Sequence, residues 1–394
     1  MTLLLASVTG TEEAEIAVAH GADIVDLKDP SKGALGALPV EAVGAAVRAV
    51  AGRRPTSAVT GDLPMEPDTV VAAVGRMADT GVDYVKVGLF PDPRREKCLR
   101  ALAVQARRTK LVGVMFADSG ADVALVPVMA ECGFAGTMLD TAHKGAGRLL
   151  DHMDLPSLDE MVARCRANGL MVGLAGSLEP PDVTRLLLLA PDFLGFRGAL
   201  CTERDRTTRI DPAALRVIRD LIPLDPRSLL RPPAAGAADN RHPVAWGLAA
   251  DPSPDGATDR IFVHDFVIPV RVGAYARERD KPQNVRFNVD ATITRHVGAV
   301  ETMSDVVSYD VIMDGIRLII AKEHIPLIET LAERIAAFML VHPRVISVTV
   351  QVEKLDVGPG AVGIEIRRER KAEVANLYQL YPAAAGTTRS GAAE

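Results

Sequence analysis

One pattern restricts the fold of this 394-residue chain more than any other. From the N-terminus to about residue 221, a short β-branched apolar run is followed by a polar or Gly-containing turn and an amphipathic stretch rich in Ala and Leu. The unit recurs eight times. The apolar runs fall at 2–8, 23–28, 56–61, 84–89, 110–116, 136–140, 171–176 and 193–197. Helical spacing follows near 11–20, 39–51, 67–80, 94–107, 121–132, 157–168, 180–190 and 212–221. Strands alternating with helices predict a parallel sheet. Eight units, with no Gly-rich dinucleotide fingerprint after the first strand, favour a closed (β/α)8 TIM barrel over an open doubly wound sheet, so residues 1–221 are expected to be an α/β barrel.

After the repeats the composition changes. Residues 222–258 are rich in Pro, Ala, Gly and Asp, as in Arg231-Pro232-Pro233-Ala234-Ala235-Gly236, and contain the only tryptophan, Trp246. Proline removes backbone donors and fixes φ, so this stretch reads as an interdomain linker. Residues 259–370 then follow a different grammar. Two long alternating runs, 260–275 and 283–297, precede helical spacing at 309–323 and 327–342; a second strand pair, 346–355 and 361–370, flanks Gly358-Pro359-Gly360. The order ββααββ predicts a smaller α+β domain. Residues 371–394 are small and polar and are expected to be disordered.

Charge and length narrow the function classes. A net charge of −6 without a basic block argues against nucleic acid or an anionic membrane as the main partner. No apolar run reaches about 18 residues and no basic segment precedes the N-terminal apolar residues, so a cytoplasmic protein is expected. Cys98, Cys132, Cys165 and Cys201 are widely spaced with no CxxC, which points to buried thiols rather than a metal site or a disulfide framework.

The chemistry-bearing residues concentrate at the predicted C-terminal ends of the barrel strands, the positions that face one shared pocket in such a fold. They are Asp26 and Lys28 after the second run, Asp62 after the third, Lys86 in the fourth, Asp118 after the fifth, Asp140 and Lys144 after the sixth, and Arg197 after the eighth. Any single one reads most simply as a strand-end ion pair. Three lysines and several carboxylates converging on one mouth would be costly to desolvate without a task. In Tyr84-Val85-Lys86-Val87-Gly88-Leu89, apolar neighbours and nearby cations disfavour the charged amine, leaving a base or a nucleophile. Asp140 and Lys144 form an acid-base pair. Gly176, Ser177, Arg197 and Gly198, after the last two strands, suit a phosphate cradle. The substrate class expected is a small phosphorylated aldehyde or ketone reacting through a Schiff base.

These same stretches carry a resemblance. Asp26-Leu27-Lys28-Asp29-Pro30, Gly33-Ala34-Leu35-Gly36-Ala37, Thr60-Gly61-Asp62, Tyr84 to Leu89, Leu139-Asp140-Thr141-Ala142-His143-Lys144, Leu174-Ala175-Gly176-Ser177 and Arg197-Gly198-Ala199 resemble (5-formylfuran-3-yl)methyl phosphate synthase, from the N-terminus to about residue 220. The resemblance implies condensation of two glyceraldehyde 3-phosphate molecules into a phosphorylated furan aldehyde, a precursor of methanofuran-type carriers, with no metal or organic cofactor. It makes Lys28 the Schiff-base lysine and Lys86 the proton acceptor, assisted by Asp26, Asp140 and Lys144. A different Schiff-base aldolase on the same barrel is the alternative.

In the second domain, Glu278, Glu329 and Lys354 at element ends would by themselves read as solvated surface. The segments Gly273 to Glu278, Pro282-Gln283, Ser308-Tyr309, Leu327 to Arg334 and Val352-Glu353-Lys354 resemble dihydroneopterin aldolase over roughly 259–370. That likeness implies a tunnelling fold (T-fold) and a dihydropterin substrate cleaved to 6-hydroxymethyl-dihydropterin and glycolaldehyde. By the same likeness Glu329 grips the pterin, Lys354 is the acid-base group, Glu278 and Tyr309 lie near the cleaved side chain, and the chain assembles into a homo-oligomer through this domain. Aldolase, epimerase and a non-catalytic oligomerisation scaffold remain alternative readings.

Overall fold

A computed structural model of the chain describes residues 2–222, 256–275, 278, 279, 281–357 and 360–370. Most of the stretch read as a linker, including Trp246, and the tail from 371 lie outside the described residues.

Eight parallel strands close on themselves in sequence order. They are β1 (Leu3–Val8), β2 (Ile24–Leu27), β3 (Thr56–Val59), β4 (Tyr84–Gly88), β5 (Lys110–Phe116), β6 (Gly136–Asp140), β7 (Met171–Leu174) and β8 (Phe193–Phe196). The helices between and after them are α1 (Thr11–Ala19), α2 (Val40–Val50), α3 (Pro67–Ala78), α4 (Arg95–Ala106), α5 (Leu125–Glu131), a single turn α6 (Leu149–His152), α7 (Leu155–Ala167), α8 (Pro180–Leu187) and α9 (Pro212–Leu221). The expected eight-unit barrel is therefore observed, and α5 is the one helix that starts clearly later than its spacing predicts, after a 3₁₀ turn at Ala117–Ser119.

Strand alternation explains how charge enters the interior. Val25 and Leu27 of β2 and Val85 and Val87 of β4 belong to the outer hydrophobic layer between strands and helices. Side chains alternate across a strand, so the intervening Asp26 and Lys86, and Lys28 just beyond β2, turn inward. Leu5, Val59, Val112, Val114 and Met138 form a separate buried apolar cluster in the barrel interior. Register places Ser7 of β1 and Ser57 of β3 on either side of Asp26, and Val59 beside Lys86.

The second architecture is a four-stranded antiparallel sheet of order β12-β11-β10-β9, formed by β9 (Thr258–Val270), β10 (Gln283–Thr294), β11 (Val345–Lys354) and β12 (Val362–Glu369). Two helices, α10 (Tyr309–Lys322) and α11 (Ile328–Val341), connect β10 to β11, which gives the expected ββααββ order. Along β10, Val285, Phe287, Val289 and Ala291 are buried and alternate with more exposed neighbours, the signature of a sheet with one covered face.

The compact units do not follow the composition boundary. The barrel unit includes Arg295–His324, and the second unit comprises the described residues of Thr258–Thr294 and of 325–370. Within the barrel unit α10 lies against α7 and α8. Leu318 joins the outer hydrophobic layer of the barrel. The buried Asp314 carboxylate accepts hydrogen bonds from Arg185 Nε (2.6 Å) and Nη2 (3.2 Å) and from Arg317 Nη1 (2.9 Å). A buried charge needs such partners, and the change of grammar in the sequence marks where the sheet begins rather than where barrel packing ends.

Candidate active sites

At the barrel mouth, charged groups are arranged in tiers. The deepest is Asp26, fully buried, which accepts hydrogen bonds from Ser7 Oγ (2.9 Å), Ser57 Oγ (2.6 Å) and Lys86 Nζ (2.6 Å). Burial pushes its carboxyl up, but the ammonium groups of Lys86 and Lys28 and these donors outweigh burial and hold it below its ordinary range. Lys86 is only 2% exposed. Burial pulls its ammonium group below the usual lysine range and Lys28 adds to the fall, against the attraction of Asp26. The pair thus shares a proton between a carboxylate that resists it and an amine poised to release it.

The next tier is Asp140 with Lys144. Asp140 ends β6, is buried, and accepts from Thr141 N (2.8 Å) and from Lys144, whose ammonium also donates to Thr141 Oγ1 (3.2 Å). Burial raises the Asp140 carboxyl and Lys144 with Lys28 more than reverses that; burial, with Lys28 and Arg206, lowers Lys144. Asp118 accepts from the amides of Ala142 (2.8 Å) and His143 (2.7 Å) and so fixes the turn that presents Lys144.

Lys28 stands between the two pairs. Its ammonium group forms no hydrogen bond or ion pair among the described residues, although its charge acts on Asp26, Lys86, Asp140 and Lys144. It lines a cavity of about 390 Å³ together with Ser7, Asp140, Lys144, Gly176 and Ser177. Asp26 and Lys86 are not part of that lining, consistent with their position one and two residues before the ends of β2 and β4. All five of the barrel residues expected to do chemistry are therefore brought together, with Lys28 the amine that faces the cavity uncommitted.

Two expectations need correction. Asp62 does not enter the pocket: it accepts from the amides of Ala34 (3.0 Å) and Leu35 (2.8 Å), and a Cβ on Gly33, which has φ +99°, would lie 2.0 Å from its Oδ2. It holds the loop after β2 in a shape that only glycine allows. Arg197 lines the cavity but is not a free phosphate ligand. Its Nε donates to Arg206 O (2.8 Å), Nη1 to Ser7 O (3.1 Å) and Glu13 Oε2 (2.6 Å), and Nη2 to Glu13 Oε1 (3.3 Å) and Thr208 O (2.7 Å). A guanidinium has five N–H donors, and all five are engaged. Gly176 (φ +117°), Ser177 (φ +52°) and Gly198 do line the cavity.

Sequence reasoning missed Ser7, Ser57, Glu13 and Arg206. The two serines were discoverable as inward-facing polar residues in apolar strands. Glu13 on α1 carries no local signal, because only the fold brings the eighth strand's arginine to it.

In the second unit, Lys354 at the end of β11 donates to Glu278 Oε1 (2.8 Å), and Gln283 Nε2 donates to the same oxygen (3.2 Å). Tyr275 N donates to Glu278 Oε2 (3.0 Å). The Lys354 hydrogen bond, followed by that from Tyr275 N, holds the Glu278 carboxyl down at about 2. Gly273, at φ +138°, is required here: a Cβ would sit 2.1 Å from Glu278 Oε2. Glu329, in the first turn of α11, is exposed and makes no hydrogen bond or ion pair among the described residues. Tyr309 opens α10 in the barrel unit and is 59% exposed.

Fold and site together define a lysine-centred (β/α)8 barrel carrying a second, α+β sheet unit. Residues 4–219, more than half of the chain, match the family model described as 4-HFC-P synthase, and the chain belongs to that family. Residues 261–367 match the model described as dihydroneopterin aldolase. Among curated relatives, a Methylorubrum extorquens protein is 42% identical over 225 residues, covering 57% of this chain and 93% of its own length. The (5-formylfuran-3-yl)methyl phosphate synthase of Methanothermobacter thermautotrophicus is 37% identical, covering 56% of this chain and 98% of its own. Among solved structures, a dihydroneopterin aldolase from Burkholderia thailendensis is 30% identical over 29% of this chain and 93% of its own, with a TM-score of 0.27. No described helix is long and apolar enough to cross a membrane.

Proposed function

We propose that the barrel condenses two molecules of glyceraldehyde 3-phosphate to (5-formylfuran-3-yl)methyl phosphate through an imine on Lys28. The single observation that carries this reading is the contrast among the three lysines. Lys86 and Lys144 are each bound to a carboxylate, whereas Lys28 lines the cavity with its amine uncommitted. Attack of that amine on a carbonyl and loss of water gives the imine, which serves as electron sink when the adjacent carbon gives up a proton. Lys86, held by Asp26, takes that proton; Asp140 and Lys144 move protons as hydroxyl groups leave. The resulting nucleophilic carbon attacks the second aldehyde. Closure to the furan then releases one phosphate and two waters in total, which balances two triose phosphates against one furan phosphate.

For the second unit the reading is retro-aldol cleavage of dihydroneopterin, with Lys354 and Glu278 as the acid-base pair and Glu329 as the pterin anchor. The domain runs over 259–370, joined to the barrel by 222–258, and edge strands β9 and β12 are the surfaces through which copies assemble in the cytoplasm. The family match over 261–367 and the Glu278–Lys354 contact support this.

Borohydride reduction in the presence of glyceraldehyde 3-phosphate, followed by peptide mass spectrometry, tests the barrel reading. A reduced adduct on Lys28, lost in Lys28→Ala, is expected; an adduct on another lysine, or none, overturns it. Release of glycolaldehyde from dihydroneopterin by the full chain, lost in Lys354→Met, tests the second unit.

A further inference from the structure

Several cations at the barrel mouth form no ion pair among the described residues. Lys86 is matched by Asp26, Lys144 by Asp140 and Arg197 by Glu13. Among the cavity-lining cations that leaves Lys28, the exposed Arg204 and the half-buried Arg206; of the other lining carboxylates, Glu179 lies 4.0 Å from Arg148 and Asp205 accepts from Thr207 N (2.9 Å) and Oγ1 (2.8 Å). Among the described residues Arg206 donates one side-chain hydrogen bond, from Nη2 to Gly33 O at 3.3 Å, and so retains most of its five donors. The carboxylates acting on it, Asp140 and Asp62, are engaged elsewhere, by Lys144 and by the amides of Ala34 and Leu35. Burial and the neighbouring Arg197 disfavour its charge. An anion placed in the cavity would relieve that cost, and a guanidinium fork matches a phosphate in two-point geometry.

The loop carrying Arg206 is held from below. An antiparallel bridge joins Cys201 to Ile210 at its base. Glu13 accepts from Ile210 N (3.1 Å), and Arg197 donates to the carbonyls of Arg206 and Thr208. The amide and the hydroxyl of Thr9 fix Glu13 in turn, donating to its Oε2 at 2.8 and 2.9 Å. We propose that Arg206 is the side chain that holds a substrate phosphate, and that Glu13 and Arg197 are positioning residues that set Arg206 over the cavity. This rests on the barrel reading above and deepens it, moving the phosphate contact from Arg197 to a residue nine positions later in the chain.

The test compares wild type, Arg206→Gln and Arg197→Lys, with thermal unfolding recorded for each. Two measurements are made: borohydride trapping at Lys28 with glyceraldehyde 3-phosphate against unphosphorylated glyceraldehyde, and calorimetric binding of inorganic phosphate. Arg206→Gln should reduce the preference for the phosphorylated aldehyde on the order of 10- to 100-fold, the loss of a charge-assisted contact, and weaken phosphate binding in parallel. Arg197→Lys, which keeps the charge but not the five contacts, should lower the same preference by a smaller factor. Wild-type preference and wild-type phosphate affinity in a folded Arg206→Gln protein overturn the proposal. If wild type traps neither aldehyde, the imine reading fails, and phosphate binding by wild type and Arg206→Gln still decides the role of Arg206.

Discussion

The barrel and the sheet unit each contain a lysine bound to a carboxylate, and the two pairs are built differently. Lys86 and Asp26 have side chains 2% and 0% exposed, whereas Lys354 and Glu278 keep 13% and 11%. In the barrel pair burial is the largest influence on both partners, and it pulls the lysine down. In the sheet pair hydrogen bonds lead: Lys354, then the Tyr275 amide, fix the glutamate as an anion at about 2. Depth therefore changes what one ion pair can do. A deeply desolvated pair pushes its lysine toward the neutral amine that can accept a proton, while in the pair with access to water hydrogen bonds hold the carboxylate as an anion.

The largest effect that would break this comparison is on the barrel lysine. Lys86→Met should leave the imine on Lys28 trappable while slowing furan formation by roughly 10²- to 10⁴-fold, the usual contribution of a positioned proton acceptor. Unchanged turnover would reduce the pair to a packing device. A smaller effect is expected from Asp26→Asn. It leaves Lys86 buried without its carboxylate, at a cost of about 3 kcal/mol, the low end for a broken buried pair because the amine can shed its proton. Asp26 raises Lys86 against burial. Its removal should lower Lys86 further, so the rising limb of the rate against pH, on which Lys86 becomes the free base, should move to lower pH. A limb that moves upward would contradict the assignment of Lys86 as that base.

How much of this was legible in the sequence follows from the range of each interaction. The eightfold repeat and the strand-end positions of Asp26, Lys28, Lys86, Asp140 and Lys144 are local facts, since alternation along one strand decides which side chains face inward. The partnership of Arg197 with Glu13 joins residues 184 positions apart and left no trace in either segment. Arg197 therefore looked free, and Arg206, whose importance depends on Arg197 being engaged, did not stand out. The same limit explains α10: its helical spacing was clear, but its packing on α7 and α8 through Asp314 and Arg185 is a relation between distant segments. In the sheet unit, Lys354 and Glu278 were individually unremarkable, and only the fold, which sets the β9–β10 connection beside the end of β11, brings them to 2.8 Å.

The smallest effect sharpens the other side of the comparison. Glu278 titrates at about 2 in the folded chain against an ordinary 4.5. A carboxyl depressed in the native state stabilises the fold fully above its unfolded value, and that contribution fades as pH falls from about 4.5 toward 2. Lys354→Met removes the leading cause, so the carboxyl should return toward 4.5 and the acid-side loss of stability should shrink. Carbon-13 NMR of the Glu278 carboxyl, recorded across pH 2 to 6, checks this directly. A Glu278 that still titrates near 2 without Lys354 would mean that the Tyr275 amide and Gln283 suffice to hold it.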